Sequence, residues 1–457
     1  MAPPATDPCH AAPMADADYP ASWYAATRDA APERAPLDGR READVAVVGG
    51  GFAGLHAARL AAMRGLSVVL VERHRIGWGA SGRNGGFVGA GWAERSGALI
   101  DRLGVDAARR LYAQSQRGVA VVRDAIAALD RSDIMMGRGK LTVSRTDQGA
   151  GFADRTRALA ETLGASFEPW PTERVRSVLA TGRYHQALHD PASFHIHPLN
   201  LALALAGDIE RRGGTVCERT DAVALERSTG WLLRTAARSG PGKAMGEIAA
   251  RHVVLAGNAD LGPVEPRVAR AVLPVATYVA VTAPLGPALA EAVRWPGAIS
   301  DTRRAGDYYR VVDGDRLLWG GRITTDTREP PRLRALMRGD ILSVYPQLGD
   351  VRIDHAWPGI MGYATHRMPQ VGEIAPGLWV CSAFGGHGVA QTAAGADAVV
   401  AGIAGEDDRW TQFRPFGIGW AGGAVGRLAT QLVYWKLQAS DWWDEKRQAQ
   451  NAEALRT

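Results

Sequence analysis

Asp44-Val45-Ala46-Val47-Val48 running straight into Gly49-Gly50-Gly51-Phe52-Ala53-Gly54 leaves this chain little freedom. The β-branched run reads as a strand, and G-x-G-x-x-G spacing turns that strand directly into a helix. Gly49 makes the tight turn, Gly51 lets backbone approach a pyrophosphate, and Gly54 lets helix and strand pack closely. Phe52 and Ala53 open the helix, whose N-terminus presents free N–H groups and a positive dipole end to phosphates. Ala58 and Gly65 carry the spacing into a second strand, Ser67 to Val71, which ends at Glu72. A carboxylate there takes two ribose hydroxyl hydrogen bonds and repels a 2′-phosphate, which argues against NADP. A tight turn without any ligand is the bland alternative, and strand, helix, spacing and acid together weigh against it.

A second glycine-rich run, Gly77-Trp78-Gly79-Ala80-Ser81-Gly82-Arg83-Asn84-Gly85-Gly86, begins five residues past that acid. A nicotinamide cofactor has no need of it. An extended FAD requires backbone amides on its diphosphate, ribityl chain and ring edge at once, and glycines permit that approach. Arg73 and the run from Gly79 to Gly86 are therefore expected to share a cofactor cleft with Gly49–Gly54 and Glu72.

The 457 residues suffice for two or three domains, or one large two-part fold. At 46% hydrophobic and 22% charged, wholesale disorder is excluded. No window approaches the ~18 uninterrupted apolar residues of a spanning helix. The first 27 residues carry no Lys or Arg, unlike a secretory or transit peptide, so the cytoplasm is the expected location. Net charge is +5, yet Lys stands only at Lys140, Lys243, Lys436 and Lys446, leaving 49 Arg dispersed in short pairs such as Arg109-Arg110 and Arg303-Arg304. Dispersed Arg is a solvated surface, and no nucleic-acid partner is expected. Cys9, Cys217 and Cys381 form no C-x-x-C, which supports neither zinc nor a disulfide framework. His195 and His197 lack a third ligand and read as structural, so no metal site is expected.

The Val45–Gly65 fingerprint, Gly82-Arg83-Asn84-Gly85-Gly86 and Gly385-Gly386-His387-Gly388 together resemble the D-amino-acid oxidase/sarcosine oxidase superfamily of FAD enzymes. Within it, Tyr19-Pro20…Trp23-Tyr24, Ser81–Gly86 and Gly426-Arg427-Leu428…Gln431-Leu432…Tyr434-Trp435 resemble γ-glutamylputrescine oxidase-like amine oxidases. The resemblance implies an α/β fold: a discontinuous Rossmann-like FAD-binding domain and a mixed or antiparallel β-sheet substrate domain. The expected segments are an arm (1–40) in which Tyr19, Trp23 and Tyr24 pack back on the body, FAD-binding parts at 41–137, 191–265 and 370–408, substrate-domain parts at 138–190 and 266–369, and an aromatic helical tail at 409–457. That tail, with Trp420, Trp435, Trp442 and Trp443, is expected to pack on the FAD domain, and Asp441, Asp444 and Glu445 weigh against a membrane interface.

The resemblance also implies contacts. Val223 would flank the adenine through its backbone, Ala256 and Gly257 the ribose and pyrophosphate, and Gly385, Gly386, His387, Gly388 and Val389 would aim a helix N-terminus at the flavin pyrimidine. No Cys stands at Met361-Gly362, so FAD is expected to be non-covalent. The implied reaction oxidises the C–N bond of a small-molecule amine, with hydride passing to the flavin and the imine hydrolysing to aldehyde or keto product. No isolated acid pair suggests a dedicated carboxylate base. Tyr308, Tyr309, Trp319 and Trp357 are candidate aromatic walls, with plain sheet packing as the alternative for each. Arg310, Arg322 and Arg367 are candidate carboxylate anchors, and His366 and His387 the foremost histidines. The catalytic set is therefore expected among Tyr309, Arg310, Trp319, His366 and Arg367. The oxygen-handling lysine of some relatives would fall near Trp319-Gly320, and no Lys lies between 244 and 435. O2 or another electron acceptor stays open, as does a homo-oligomer. The rival readings are a D-amino-acid dehydrogenase, an N-methyl amino-acid oxidase and, further off, a non-catalytic flavin-binding partner protein.

Overall fold

The computed structural model describes residues 19–238, 245–303 and 306–454; Cys9, Lys243 and Arg304 lie outside them. Apolar β-branched runs, buried on both faces, build the parallel core of an eight-stranded sheet. Its main path runs Gln370–Ala375, Leu378–Ser382, Met245–Leu255, Gly39–Val48, Val68–Val71 and Thr215–Cys217. Gly39–Val48 pairs in parallel with Met245–Leu255 on one side and Val68–Val71 on the other. The strands Thr220–Arg227 and Trp231–Ala237 extend it as an antiparallel hairpin. Between Thr215–Cys217 and Thr220–Arg227 the chain breaks at Glu218-Arg219. Arg219 takes a φ of 52° there, and the buried Glu218 turns away to pair with Arg75 at 2.6 Å.

Against this sheet pack the helices Phe52–Met63, Pro198–Arg211 and Gly388–Ile403. Phe52–Met63 is buried from Phe52 through Ala61, which its Ala-rich sequence permits: small side chains let strand and helices approach from all sides.

A second, nine-stranded sheet runs Ile353–Tyr363, Leu273–Thr282, Arg316–Thr324, Tyr308–Val312, Ala298–Asp301, Met135–Val143, Ala187–Ile196 and Phe87–Val88, with Glu168–Trp170 off this path. It is mixed, because Ala298–Asp301 and Met135–Val143 pair in parallel while the other pairs are antiparallel. Ala187–Ile196 stays in this sheet beyond the changeover expected at 190, and Phe87–Val88 joins it from within the 41–137 segment. The chain thus crosses between the sheets repeatedly.

The arm packs where its aromatics demand. Trp23 and Tyr24 are buried, and Tyr19 donates its hydroxyl hydrogen to Ile76 O at 2.9 Å. Arg310 lies fully buried and donates to Tyr24 Oη (3.0 Å), Ile196 O (2.8 Å) and His195 Nδ1 (2.7 Å). It is therefore a tie between arm and second sheet, which corrects its expected role as a substrate anchor. His195 and His197 are likewise structural: His197 Nδ1 accepts from Asn200 N–H and caps the helix Pro198–Arg211.

The tail folds as the 3-10 segment Arg409–Phe416 and the long helix Gly423–Ala454. That helix lies on the second sheet, with Gln431 accepting from Thr324 Oγ1 and Thr325 N–H at 2.9 Å each. The segment Arg409–Phe416 does pack on the first sheet and the helix Gly388–Ile403, with Trp410 against Trp379, so the expected place of the tail on the FAD domain is corrected for the long helix alone. No described helix is long and apolar enough to cross a membrane.

Removing the buried guanidinium strands Tyr24, His195 and a carbonyl together. Arg310→Ala is expected to lower unfolding free energy by about 3 kcal/mol or more, read as a fall in the urea midpoint. The exposed Arg157→Ala is the control, expected within about 1 kcal/mol of wild type. Equal midpoints for both would remove Arg310 from the supports of the fold.

Candidate active site and cofactor cleft

Where the parallel strands end, the backbone is forced into close approach. Gly49 adopts a φ of 112°, and a Cβ there would stand 2.8 Å from Ala256 O. A Cβ on Gly54 would stand 1.9 Å from Gly49 O, so any side chain would push the helix off the strand. Phe52 N–H donates to Ser81 Oγ at 2.9 Å and joins the second glycine run to the first. Glu72 is clamped between Gly50 N–H (2.6 Å) and His74 N–H (2.8 Å). Burial nevertheless pushes its carboxyl up to about 7, against those two hydrogen bonds.

These elements wall a cleft of ≈ 560 Å³. Along it lie Glu72 and Arg73, then Gly49, Gly51, Phe52, Ala53, Ala256 and Gly257, then Gly79, Ala80, Ser81, Arg83, Asn84 and Gly85, and finally Gly385, Gly386, His387, Gly388 and Val389. Gly54, Gly82 and Gly86 stand behind the wall rather than on it: a Cβ on Gly82 would meet Gly77 O at 2.2 Å, and on Gly86 would meet Ile196 O at 2.3 Å. Val223 also departs from expectation. The register shifts at this point of its strand and its side chain is exposed, while Thr220 and Ala222 line the cleft.

The cleft suits a dinucleotide on grounds of its own. Arg83 is buried, stacks 4.0 Å over Trp78 and donates Nε–H to Trp78 O at 2.7 Å. Its Nη2 has no hydrogen-bond partner, and burial lowers its pKa to about 10. A buried, unsatisfied guanidinium beside two glycine loops fits the diphosphate of FAD. At the far end the helix Gly388–Ile403 begins with its N-terminus on the cleft, where its dipole favours negative charge. Cys381 lines the wall, and burial raises its thiol well above the ordinary range, which leaves it a packing residue rather than a thiolate.

The substrate side differs from expectation more. Tyr308 lines the cleft, but its neighbour Tyr309 points through the sheet and stacks on Trp319 at 4.3 Å, with its hydroxyl 2.7 Å from Tyr345 Oη. Tyr309 and Trp319 are fully buried core of the second sheet. Trp357 is buried too and donates Nε1–H to Arg83 O at 2.9 Å. His366 lies beside Phe416 and 3.3 Å from Gly417 O, and Arg367 is half-exposed beside Glu94; neither lines the cleft. Arg322 does line it but is held by Asp340 at 2.6 and 2.9 Å.

Three groups went unmarked in the sequence. Tyr363 lines the cleft, and its hydroxyl accepts from Gly386 N–H at 2.9 Å. Asp301 lies at one end of the cleft and, with Asp307, accepts from Arg303. Burial, helped by Asp301, pushes the Asp307 carboxyl up despite Arg303. This is an acid pair built around a shared cation. Lys140, opposite Asp190 on the neighbouring strand, is the third. Burial lowers its pKa against the pull of Asp190, and among the described residues it has no ion pair within 4 Å. The cleft thus draws a lysine from a strand far from Trp319-Gly320. Its scarcity in an Arg-rich chain was the available signal. Among the described residues no cluster of three metal-ligating side chains occurs.

Comparison with known proteins agrees with this geometry. Residues 44–401 match the family model DAO, described as FAD dependent oxidoreductase. The chain is 33% identical over 402 residues to the γ-glutamylputrescine oxidoreductase of Escherichia coli, covering 87% of this chain and 92% of that protein. In fold it is similar to a glycine oxidase from Geobacillus kaustophilus (TM-score 0.65, 21% identity, 83% and 98% of the two chains). It is likewise similar to an L-proline dehydrogenase from P. horikoshii (TM-score 0.64, 17% identity, 84% and 99%).

Ionised Glu72 can accept from both hydroxyls of a ribose diol and the protonated acid loses one of its acceptor oxygens, so protonation competes with the cofactor. FAD affinity is expected to weaken as pH falls through about 7, by up to ~10-fold per unit. Glu72→Gln flattens that dependence. The same raised carboxyl makes the apoprotein lose stability from this group as pH rises from about 4.5 to about 7. Flavin fluorescence titrations across pH check the first point, and a slope shared by wild type and variant would contradict it.

Proposed function

The chain belongs to the family of FAD-dependent oxidoreductases and acts on amines or amino acids, and from that premise we propose that its substrate is an amine tethered to a carboxylate, of the γ-glutamylputrescine kind. The observation that carries this reading is Lys140, a half-buried cation lining the cleft with no ion pair among the described residues. A desolvated ammonium is stabilised by a carboxylate that enters beside it, and the bound anion raises its pKa again. The Arg residues expected for this task are committed elsewhere, Arg310 to the arm and Arg322 to Asp340.

The rest of the wall serves the amine end. Tyr308 and Phe87 meet edge to face at 5.7 Å on the cleft, and Tyr363 adds a third ring. Aromatic faces accept an ammonium as it enters and favour its neutral form once water is excluded. A Cβ on Gly320 would stand 2.0 Å from the Tyr308 ring, so this glycine sets how far the ring retreats from the cleft. Thr142 and Ser300, which pair across adjacent strands, offer hydroxyls on the same wall. The glycine loops and Arg83 would hold FAD, which when bound would supply the two-electron acceptor for oxidation at the carbon beside nitrogen. The substrate loses two electrons and two protons to become an imine, and water then releases ammonia and an aldehyde. With O2 as final acceptor, H2O2 completes the balance.

Anaerobic titration of the flavin band tests the reading. γ-Glutamyl amines are expected to bleach it faster than unacylated diamines, D-amino acids or N-methyl amino acids, and readmitted air then shows whether O2 accepts the electrons. Lys140→Met is expected to cut kcat/KM about 10–100-fold for the carboxylated substrate, the 1.5–3 kcal/mol of one charged hydrogen bond, and to leave a decarboxylated analogue nearly unchanged. Equal losses for both would place Lys140 outside substrate recognition, and fastest bleaching by an N-methyl or D-amino acid would replace the substrate class.

A further inference from the structure

The C-terminal helix Gly423–Ala454 is attached to the protein by its polar side. Gln431 accepts three hydrogen bonds from Thr324 and Thr325, and Arg427 O accepts from Thr325 Oγ1 at 3.0 Å. Glu445 pairs with Arg145 at 3.1 Å and lies 3.7 Å from Arg183. Positions 427, 431, 434, 438, 441 and 445 fall on one face at helical spacing. The acids Asp441 and Glu445, which weighed against a membrane interface in the sequence, therefore belong to the side that faces the body.

One flank of the helix, about a right angle round from that face, is apolar and exposed, and at its inner edge Trp442 and Lys446 line a pocket with Arg145, Arg183 and Arg303. Val425 (75%), Leu428 (61%), Leu432 (54%), Trp435 (57%), Trp442 (55%) and Trp443 (57%) are each more than half exposed. At 100° per residue they fall on a stripe about 100° wide. Trp420, just before the helix, is 69% exposed. This inverts the ordinary surface helix, which buries its apolar stripe and shows its polar face to water.

Charge decides what covers the stripe. Lys436, Lys446 and Arg447 are exposed within or beside it, and Asp444 is the one exposed acid on the outward side among the described residues. The Lys446 ammonium sits 4.9 Å from the Trp442 ring and 5.8 Å from the Trp443 ring. A second copy of this face would bring the same three cations together with too few acids to meet them. An anionic lipid surface meets them all. Tryptophan rings rest at headgroup level with their apolar bodies toward the acyl chains, and flanking Lys and Arg reach the lipid phosphates. We propose that this face is a membrane-docking surface, by which the enzyme lies on an anionic bilayer with the helix parallel to the membrane plane.

The test uses the full-length, FAD-loaded protein and vesicle flotation. Vesicles of phosphatidylcholine containing about one third phosphatidylglycerol are expected to carry the protein upward at low salt, and pure phosphatidylcholine to carry at least tenfold less. The triple variant Trp435→Ser, Trp442→Ser, Trp443→Ser is expected to lose at least tenfold in binding while keeping its flavin and its turnover of a water-soluble amine. Charge reversal at Lys436, Lys446 and Arg447 to Glu is expected to abolish the preference for phosphatidylglycerol, and it needs no apolar residue to change. Failure of the wild-type protein to float with anionic vesicles would overturn the proposal. So would a dimer in sedimentation velocity that the Trp variant converts to monomer, since a second copy would then own the face.

Discussion

The Glu72 carboxylate holds the cofactor end of this molecule together. It sits between the N–H groups of Gly50 and His74, at the junction of the first strand–helix turn and the second strand. Gly49, Gly51 and Gly54 can approach their neighbours only while that turn keeps its shape, and the turn keeps it because Gly50 is tied to the acid. The second glycine run is fixed to the first through Ser81 and Phe52. Arg83 then reaches Trp78 and leaves one nitrogen for a diphosphate. From a single half-buried carboxylate the arrangement extends to the whole dinucleotide half of the cleft, at the carboxyl ends of parallel strands where such sites form.

That half was legible in the sequence because its information is contiguous. A strand, a turn and a helix that follow one another carry their geometry in local spacing, and each glycine has a steric reason visible from its neighbours. The substrate half is assembled from strands far apart in the chain, and one residue of parity reverses a side chain. Tyr308 faces the cleft and Tyr309 the opposite core; Trp319 faces that core, while Gly320 makes room for the Tyr308 ring. The sequence carries all four residues without stating which way the sheet turns them. His366 and Arg367 follow the strand Ile353–Tyr363 too closely to return to the cleft, which Tyr363 itself lines.

The uneven use of cations has a chemical meaning. Arg holds its charge when buried, so it suits fixed ties such as Arg310 under Tyr24, Arg59 on Asp208 at 2.7 Å, and Arg303 between two acids. A lysine in the same position responds to its surroundings, losing its proton when desolvated and regaining it beside an anion. A chain that spends 49 Arg on structure and places a lysine in the cleft has separated permanent charge from responsive charge.

The repeated crossing between sheets fixes the order in which the protein can be made. The first sheet needs Gly39–Val48 from near the start and Leu378–Ser382 from near the end, and the second needs Phe87–Val88 together with Ile353–Tyr363. Neither can close on the ribosome while the last strands are still inside it. Long-range pairings of this kind are slow and come late in folding. The nascent glycine turn therefore has no complete binding wall, and flavin capture coincides with final collapse, so cofactor supply and folding yield are joined from the outset.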